Sequence, residues 1–125
     1  MAKRVINTSL AMTQFDGKPF VKDPSKDASG ENSFLLKDAL ITYIRAAQAM
    51  GLNDEELNSA YTIGILLSTE KGDSVTLTTE QYRVLEKIVT NGKIKSSNGS
   101  EDYVFGLELR IPVRKAVEDA ELIKE

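Results

Sequence analysis

Val75-Thr76-Leu77-Thr78-Thr79-Glu80-Gln81-Tyr82-Arg83-Val84-Leu85-Glu86-Lys87-Ile88-Val89-Thr90-Asn91-Gly92 reads as a short extended run that turns straight into a helix. Val75 to Leu77 predict a strand or an extended connector. Thr78 is placed to cap the helix, and Gln81 three residues on completes a capping box. Leu77 and Tyr82 bracket that cap as a hydrophobic staple. Tyr82, Leu85, Ile88 and Val89 recur at helical spacing and predict one buried stripe. Gly92 supplies the left-handed stop.

Two more helices precede it. Leu36, Leu40, Tyr43, Ala47 and Met50 form an apolar stripe, which predicts a helix over 33–50 capped by Asn32 or Ser33 and ended by Gly51. Leu35, Ala39, Ile41 and Ile44 widen that stripe and suit a central helix. The next helix starts at Asn53, with Glu56 closing a capping box and Leu52 and Leu57 as its staple. Its apolar set is Leu57, Ala60, Tyr61, Ile63, Gly64, Ile65, Leu66 and Leu67. Gly64 costs about 1 kcal/mol against Ala inside a helix, so close approach of a neighbouring helix is expected there. Tyr43, Tyr61 and Tyr82 all fall on faces expected to be buried.

The flanks read as β structure and loops. Residues 4–21 predict a β-hairpin, with Val5-Ile6 opening one strand, Asp16-Gly17 as the turn, and Phe20-Val21 on the return. Residues 22–32 contain no large apolar side chain and predict a mobile loop, as do residues 95–102. Leu107, Leu109, Ile111 and Val113 alternate with Glu108, Arg110 and Pro112. That pattern favours a strand over 103–111, with a short helix over 102–109 as the competitor. Pro112 suits the first turn of a last helix, faced by Val113, Ala116, Val117, Ala120 and Ile123. The order of elements lacks the strand–helix alternation of a doubly wound sheet. The expected fold is α+β, a single domain over 1–125. A small antiparallel sheet built on the N-terminal β-hairpin packs against three central helices, and a C-terminal helix closes one side.

Composition narrows the chemistry. The 125 residues include no His and no Cys. Imidazole or thiolate metal sites, Ser-His-Asp triads, Cys nucleophiles and disulfides are therefore excluded. The absence of Cys fits a reducing, cytoplasmic location. The N-terminus lacks the apolar core of a signal peptide, and no apolar run approaches the ~20 residues of a membrane span. The net charge is −3. No segment is clearly basic, as sequence-independent nucleic-acid binding would require, although Arg110, Arg114 and Lys115 can form a local patch once folded. Asp54-Glu55-Glu56 suits the positive end of a helix dipole. Lys71-Gly72-Asp73-Ser74 is a turn without the phosphate-loop signature. Asn98 to Asp102 lacks the alternating acids of a calcium loop. No cofactor and no catalytic constellation are expected.

Leu77-Thr78-Thr79-Glu80-Gln81-Tyr82-Arg83-Val84-Leu85 resembles the opening helix of winged-helix regulators related to the multiple-antibiotic-resistance repressors. The likeness ends at Lys93-Ile94-Lys95-Ser96-Ser97-Asn98-Gly99, where those proteins begin the elements that read DNA. A broader resemblance runs over residues 13–92, to small uncharacterised proteins of tailed bacteriophages. It is carried by Phe15-Asp16-Gly17-Lys18-Pro19, by Leu36-Lys37-Asp38-Ala39-Leu40, and by Val75-Thr76-Leu77-Thr78-Thr79-Glu80-Gln81. It implies a viral or prophage origin and a role through protein contacts. Joined to the lack of a catalytic constellation, it leads to the expectation of a non-enzymatic phage or prophage accessory protein in the host cytoplasm, contacting a host or phage protein or a second copy of itself. The expected contact surfaces are the 103–113 strand, by edge pairing, and the final helix. The candidate interaction residues are Leu107, Leu109, Arg110, Ile111 and Arg114. Two alternatives stand beside this reading. One is a nucleic-acid-binding regulator using the 77–92 helix, and the other is a carboxylate- or Lys-based enzyme or small-ligand binder.

Overall fold

In the computed structural model, residues 2–23, 25, 32–70, 72–95 and 99–124 are described. The chain runs β1 (Ala2–Asn7), α1 (Leu36–Ala46), α2 (Asp54–Thr69), β2 (Ser74–Thr78), α3 (Thr79–Asn91), β3 (Lys93–Lys95), β4 (Glu101–Tyr103), α4 (Leu107–Glu118) and β5 (Glu121–Lys124), with one 3-10 turn, Ala47–Ala49, after α1. The fold is α+β. One antiparallel sheet has the order β2-β1-β5, and β3 and β4 form a separate hairpin.

The strand-to-helix junction at Thr78 forms as its sequence dictates. Thr78 ends β2 opposite Lys3. Its hydroxyl accepts the Gln81 N–H at 3.2 Å, and the Gln81 side-chain oxygen accepts the Thr78 N–H at 2.9 Å. Alternation along β2 buries Val75 and Leu77 and leaves Thr76 and Thr78 exposed. Tyr82, Leu85, Ile88 and Val89 are buried on α3, and Val84 joins them. Gly92 stops the helix at φ +58°. The Asn53–Glu56 capping box of α2 is equally complete, at 2.8 and 3.0 Å.

The core is one cluster between the inner face of the sheet and the four helices. Ile6, Val75 and Leu77 meet Leu36, Leu40 and Tyr43 of α1, Ile63 and Leu67 of α2, the α3 stripe, and Val113 and Val117 of α4. Gly64 fills the role expected of it. A Cβ placed there would lie 3.1 Å from Ile44 Cγ2 on α1, so the missing side chain sets how closely α1 and α2 pack.

Several local expectations are corrected. The Asp16-Gly17 turn exists, with the Gln14 N–H donating to the Lys18 carbonyl at 2.8 Å. Its arms, however, are isolated bridges such as Thr13↔Pro19. Val5 and Ile6 pair instead with Thr76 and Val75. Helix α1 begins at Leu36, not at Ser33, because Ser33 bridges Val21. The Asp38 carboxylate accepts the Leu35 N–H at 2.9 Å and marks the true start.

Tyr61 is 71% exposed and not buried. Residues 24 and 26–31 of the expected 22–32 loop lie outside the described residues, as do Lys71 and residues 96–98. At the base of the 22–32 segment, the Lys22 N–H donates to the Asn32 carbonyl, and the Asp23 N–H donates to Asn32 Oδ1. Lys95 and Glu101, expected in a loop, pair across the β3–β4 hairpin.

The largest correction concerns the C-terminal third. Leu107 to Ile111 are helical, and Pro112 lies in the second turn of α4, not at its start. Leu109, Val113 and Val117 fall at four-residue intervals and are all buried. The alternation that suggested a strand is the overlap of this stripe with Leu107 and Ile111 on the flanks. Pro112 removes the hydrogen bond to the Glu108 carbonyl. The helix also ends earlier than expected, since residues 121–124 form β5, which pairs antiparallel with β1. Tyr82 ties this closure together. Its hydroxyl donates to the Val117 carbonyl at 2.7 Å. The Arg4 guanidinium lies 4.8 Å from its ring centre and donates to the Ala120 carbonyl at 3.2 Å.

Candidate functional site

Helix α4 buries one stripe and leaves a concavity on each flank. The first, about 380 Å³, is apolar and lined by Phe15, Phe20, Phe105, Gly106, Leu107, Glu108 and Leu109. Phe15, on the Asp16-Gly17 turn, is 79% exposed, and Leu107 is 57% exposed. The turn is held to α4 by the Phe15 N–H donating to the Glu108 carboxylate at 2.9 Å. Below it, Phe105 packs edge-on against Tyr43 at 5.0 Å and Phe34 at 6.2 Å. Such aromatic pairs favour this perpendicular geometry. The floor is therefore packed against α1 and its flank while the rim is open.

The second concavity has the same volume, about 380 Å³, and opposite chemistry. Val89, Thr90, Asn91 and Lys93 line it from α3 and β3, Tyr103 from β4, and Arg110, Ile111 and Arg114 from α4. The β3–β4 hairpin sets Lys93 directly opposite Tyr103. The Tyr103 ring receives two cations, with Arg110 Cζ at 3.7 Å from its centre and Lys93 Nζ at 5.1 Å. Hydrogen bonding from Arg110, and then the charge of Lys93, hold the Tyr103 phenol below the usual tyrosine range. Arg114 follows one turn along α4, its Nε 2.9 Å from Glu118 Oε1.

Two buried polar atoms near Gly92 are unsatisfied. The Tyr43 hydroxyl and Arg110 Nε are buried without a hydrogen-bond partner. Both border Gly92, where a Cβ would lie 3.7 Å from the Tyr43 hydroxyl and 3.8 Å from Arg110 Cδ. Burial raises the Tyr43 pKa, partly opposed by the Arg110 charge.

The five residues singled out from sequence thus sit together on α4, though on a helix and not on a strand edge. Leu107 and Leu109 face the apolar side, and Leu109 is buried in its wall. Arg110, Ile111 and Arg114 line the polar side. Lys115 is exposed and lines neither concavity. Sequence reasoning missed Lys93, Tyr103, Phe15, Phe20 and Phe105. Phe105 directly precedes the start of α4, but the β3–β4 hairpin brings Lys93 and Tyr103, and the segment around the 15–17 turn brings Phe15 and Phe20; no local pattern announces either approach.

The other candidates resolve into structural roles. Asp54, Glu55 and Glu56 open α2, and Glu56 also pairs with Lys87 of α3 at 2.6 Å. Lys87 and the Asn53 N–H together lower the Glu56 pKa. Helix α3 turns its apolar stripe into the core. Among the described residues, no three or more acidic side chains converge to hold a metal ion, and no helix is long and apolar enough to cross a membrane. No protein-family model matches the sequence, no curated protein matches it, and no solved structure matches the fold.

Proposed function

We propose that this protein is a binding module whose α4 face docks an acidic segment of another protein. The observation that supports this is the pairing of concavities along one helix. An apolar pocket with an open rim of Phe15 and Leu107 lies beside a groove carrying Lys93, Arg110 and Arg114 and lined by no carboxylate. An exposed aromatic and a leucine beside arginines have the composition of interaction hot spots. The fitting occupant carries a large apolar side chain for the first concavity and anionic groups for the second. The phage-like pattern of residues 13–92 favours a host or phage protein as the partner, and a non-enzymatic role.

Selection from a displayed peptide library against the full chain tests this reading. Peptides combining Asp or Glu with a large apolar residue should be enriched. Leu107→Asp and Arg110→Met should each weaken them about tenfold or more, the scale of one lost anchor. Tyr61→Ser on α2 should leave binding unchanged. No enrichment, or enrichment that both α4 variants leave intact, overturns the reading. Salt-sensitive binding to DNA or RNA by the same face would replace it with a nucleic-acid-binding role for α4. A concentration-dependent dimer abolished by Leu107→Asp would replace it with self-association.

A further inference from the structure

The geometry points to an oxyanion subsite of the phosphate-monoester class in the polar groove, held by Lys93, Arg110 and Arg114 with Tyr103 between the first two. It deepens the docking reading and rests on it only for what carries the anion.

Three features of the groove select this chemistry. The first is uncompensated charge. Three cations line it and no Asp or Glu does. Among the described residues, no ion pair joins Lys93 or Arg110 to a carboxylate. The carbonyls that end α3 at Gly92 offer about half a negative charge, too little for three cations. The Arg114–Glu118 pair is solvent-exposed on both sides, and such pairs contribute too little to resist an incoming dianion.

The second feature is preorganisation. Arg110 is stacked 3.7 Å from the Tyr103 ring centre, its Cδ borders Gly92, and its Nε is buried without a partner. A guanidinium fixed this way loses little further entropy on binding and presents a planar fork suited to phosphate oxygens.

The third feature is the number and spread of donors. One carboxylate is satisfied by a single arginine fork, whereas a phosphate monoester carries nearly two charges and three terminal oxygens. Cations arriving from β3 and from two successive turns of α4 match the dianion better. The depressed Tyr103 phenol reports the same positive local potential.

Amide and side-chain NMR of the full chain, titrated with inorganic phosphate at constant ionic strength and in parallel with chloride, tests the subsite. Saturable shifts should centre on Lys93, Tyr103, Arg110 and Arg114. Lys93→Met and Arg110→Met should each weaken phosphate about tenfold, the loss of one charge-assisted bond, while Lys115→Met changes it less than about twofold. Lys93→Met, at a half-buried strand position, keeps the test decisive should Arg110→Met disturb packing.

A second arm compares phosphoserine-bearing and unphosphorylated peptides. Phosphopeptide binding about tenfold or more tighter than phosphate assigns the anion to a partner's side chain, and equal binding assigns it to a free or small-molecule phosphate. Shifts that chloride reproduces, that grow without saturating, or that both variants leave unchanged overturn the subsite. Leu107→Asp separates the two readings. Phosphate shifts that survive this variant while peptide binding is lost support both, whereas phosphate shifts without any peptide binding leave the subsite and remove the docking.

Discussion

Gly64 offers a sharp test of how this sequence sets its packing, because two effects of similar size oppose each other there. Ala at an interior helix position is favoured over Gly by about 1 kcal/mol. Against this, the added Cβ would sit 3.1 Å from Ile44 Cγ2, inside the ~3.5–4.0 Å at which two carbons attract. Ile44 is β-branched and therefore stiff in its helix, so α1 and α2 must part by a few tenths of an ångström. Overpacking of this kind costs about 1–3 kcal/mol. Ile44 is only partly buried, which places the cost near the lower end. Gly64→Ala alone should therefore change stability by less than about 0.5 kcal/mol.

Ile44→Leu removes the offending methyl group, since leucine branches one carbon further out. In that background Gly64→Ala should recover the helix-propensity gain and stabilise by about 1 kcal/mol. The double-mutant cycle, measured by equilibrium urea unfolding at constant slope, should show a coupling of about 1 kcal/mol. A full gain from Gly64→Ala in the wild-type background, with coupling under about 0.3 kcal/mol, would show that Gly64 does not limit the approach of the helices. Tyr43 on α1 packs against Phe105 and shares the Gly92 neighbourhood with Arg110, so a variant that parts α1 from α2 should also alter the NMR signals of Phe105 and Arg110.

Tyr82→Phe removes the 2.7 Å bond to the Val117 carbonyl, which the Ala120 N–H also approaches at 3.2 Å. The carbonyl stays partnered, so the loss should be about 1 kcal/mol by thermal or urea unfolding; a loss under ~0.3 kcal/mol would count against this bond as the tie between α3 and α4. Glu56 has a lowered pKa through Lys87 and the Asn53 N–H, so its ionised form is favoured in the folded state. That stabilisation is complete above the unfolded carboxylate range near pH 4.3 and is lost as pH falls through the lower folded value. The stability difference between wild type and Glu56→Gln should accordingly be constant near neutrality and shrink in acid, and a pH-independent difference would contradict it. The Tyr103 phenol should ionise earlier than an ordinary tyrosine in ultraviolet titration. Arg110→Met should move it back upward, since Arg110 is the larger cause.

What the sequence made legible was local. Thr78 with Gln81 and Asn53 with Glu56 specify helix starts within four residues, and both boxes form with every bond in place. Gly64 signalled a close helix approach before any partner was known, because an interior glycine needs a compensating contact. The misreadings arose where two periods coincide or where pairing is distant. Leu107, Leu109, Ile111 and Val113 satisfy a period of two, but Leu109, Val113 and Val117 satisfy the helical period as well. Val117 lies beyond Pro112, which drew the boundary in the wrong place. Strand β1 finds β2 about seventy residues away, and β5 comes from the far end of the chain. The Asp16-Gly17 turn competed for the same N-terminal residues with a stronger local signal.

The same distinction explains why half of the candidate site could be named and half could not. Arg110 and Arg114 share a helix face by their spacing alone, so their joint exposure follows from local geometry. Lys93 and Tyr103 meet them only because the Gly92 stop reverses the chain into β3 and the hairpin returns β4 across the end of α3. That reversal also delivers the carbonyls ending α3 to the place where the cations gather. A helix C-terminus attracts positive charge, and on stability grounds one lysine or arginine would suffice. Three cations, of which only Arg114 is paired with a carboxylate at an exposed position, exceed that structural need and repel one another. Such an arrangement lowers stability unless an anion occupies it. Bound phosphate should therefore raise the melting temperature beyond the effect of equal ionic strength, and Lys93→Met should raise the stability of the free protein while diminishing that increment.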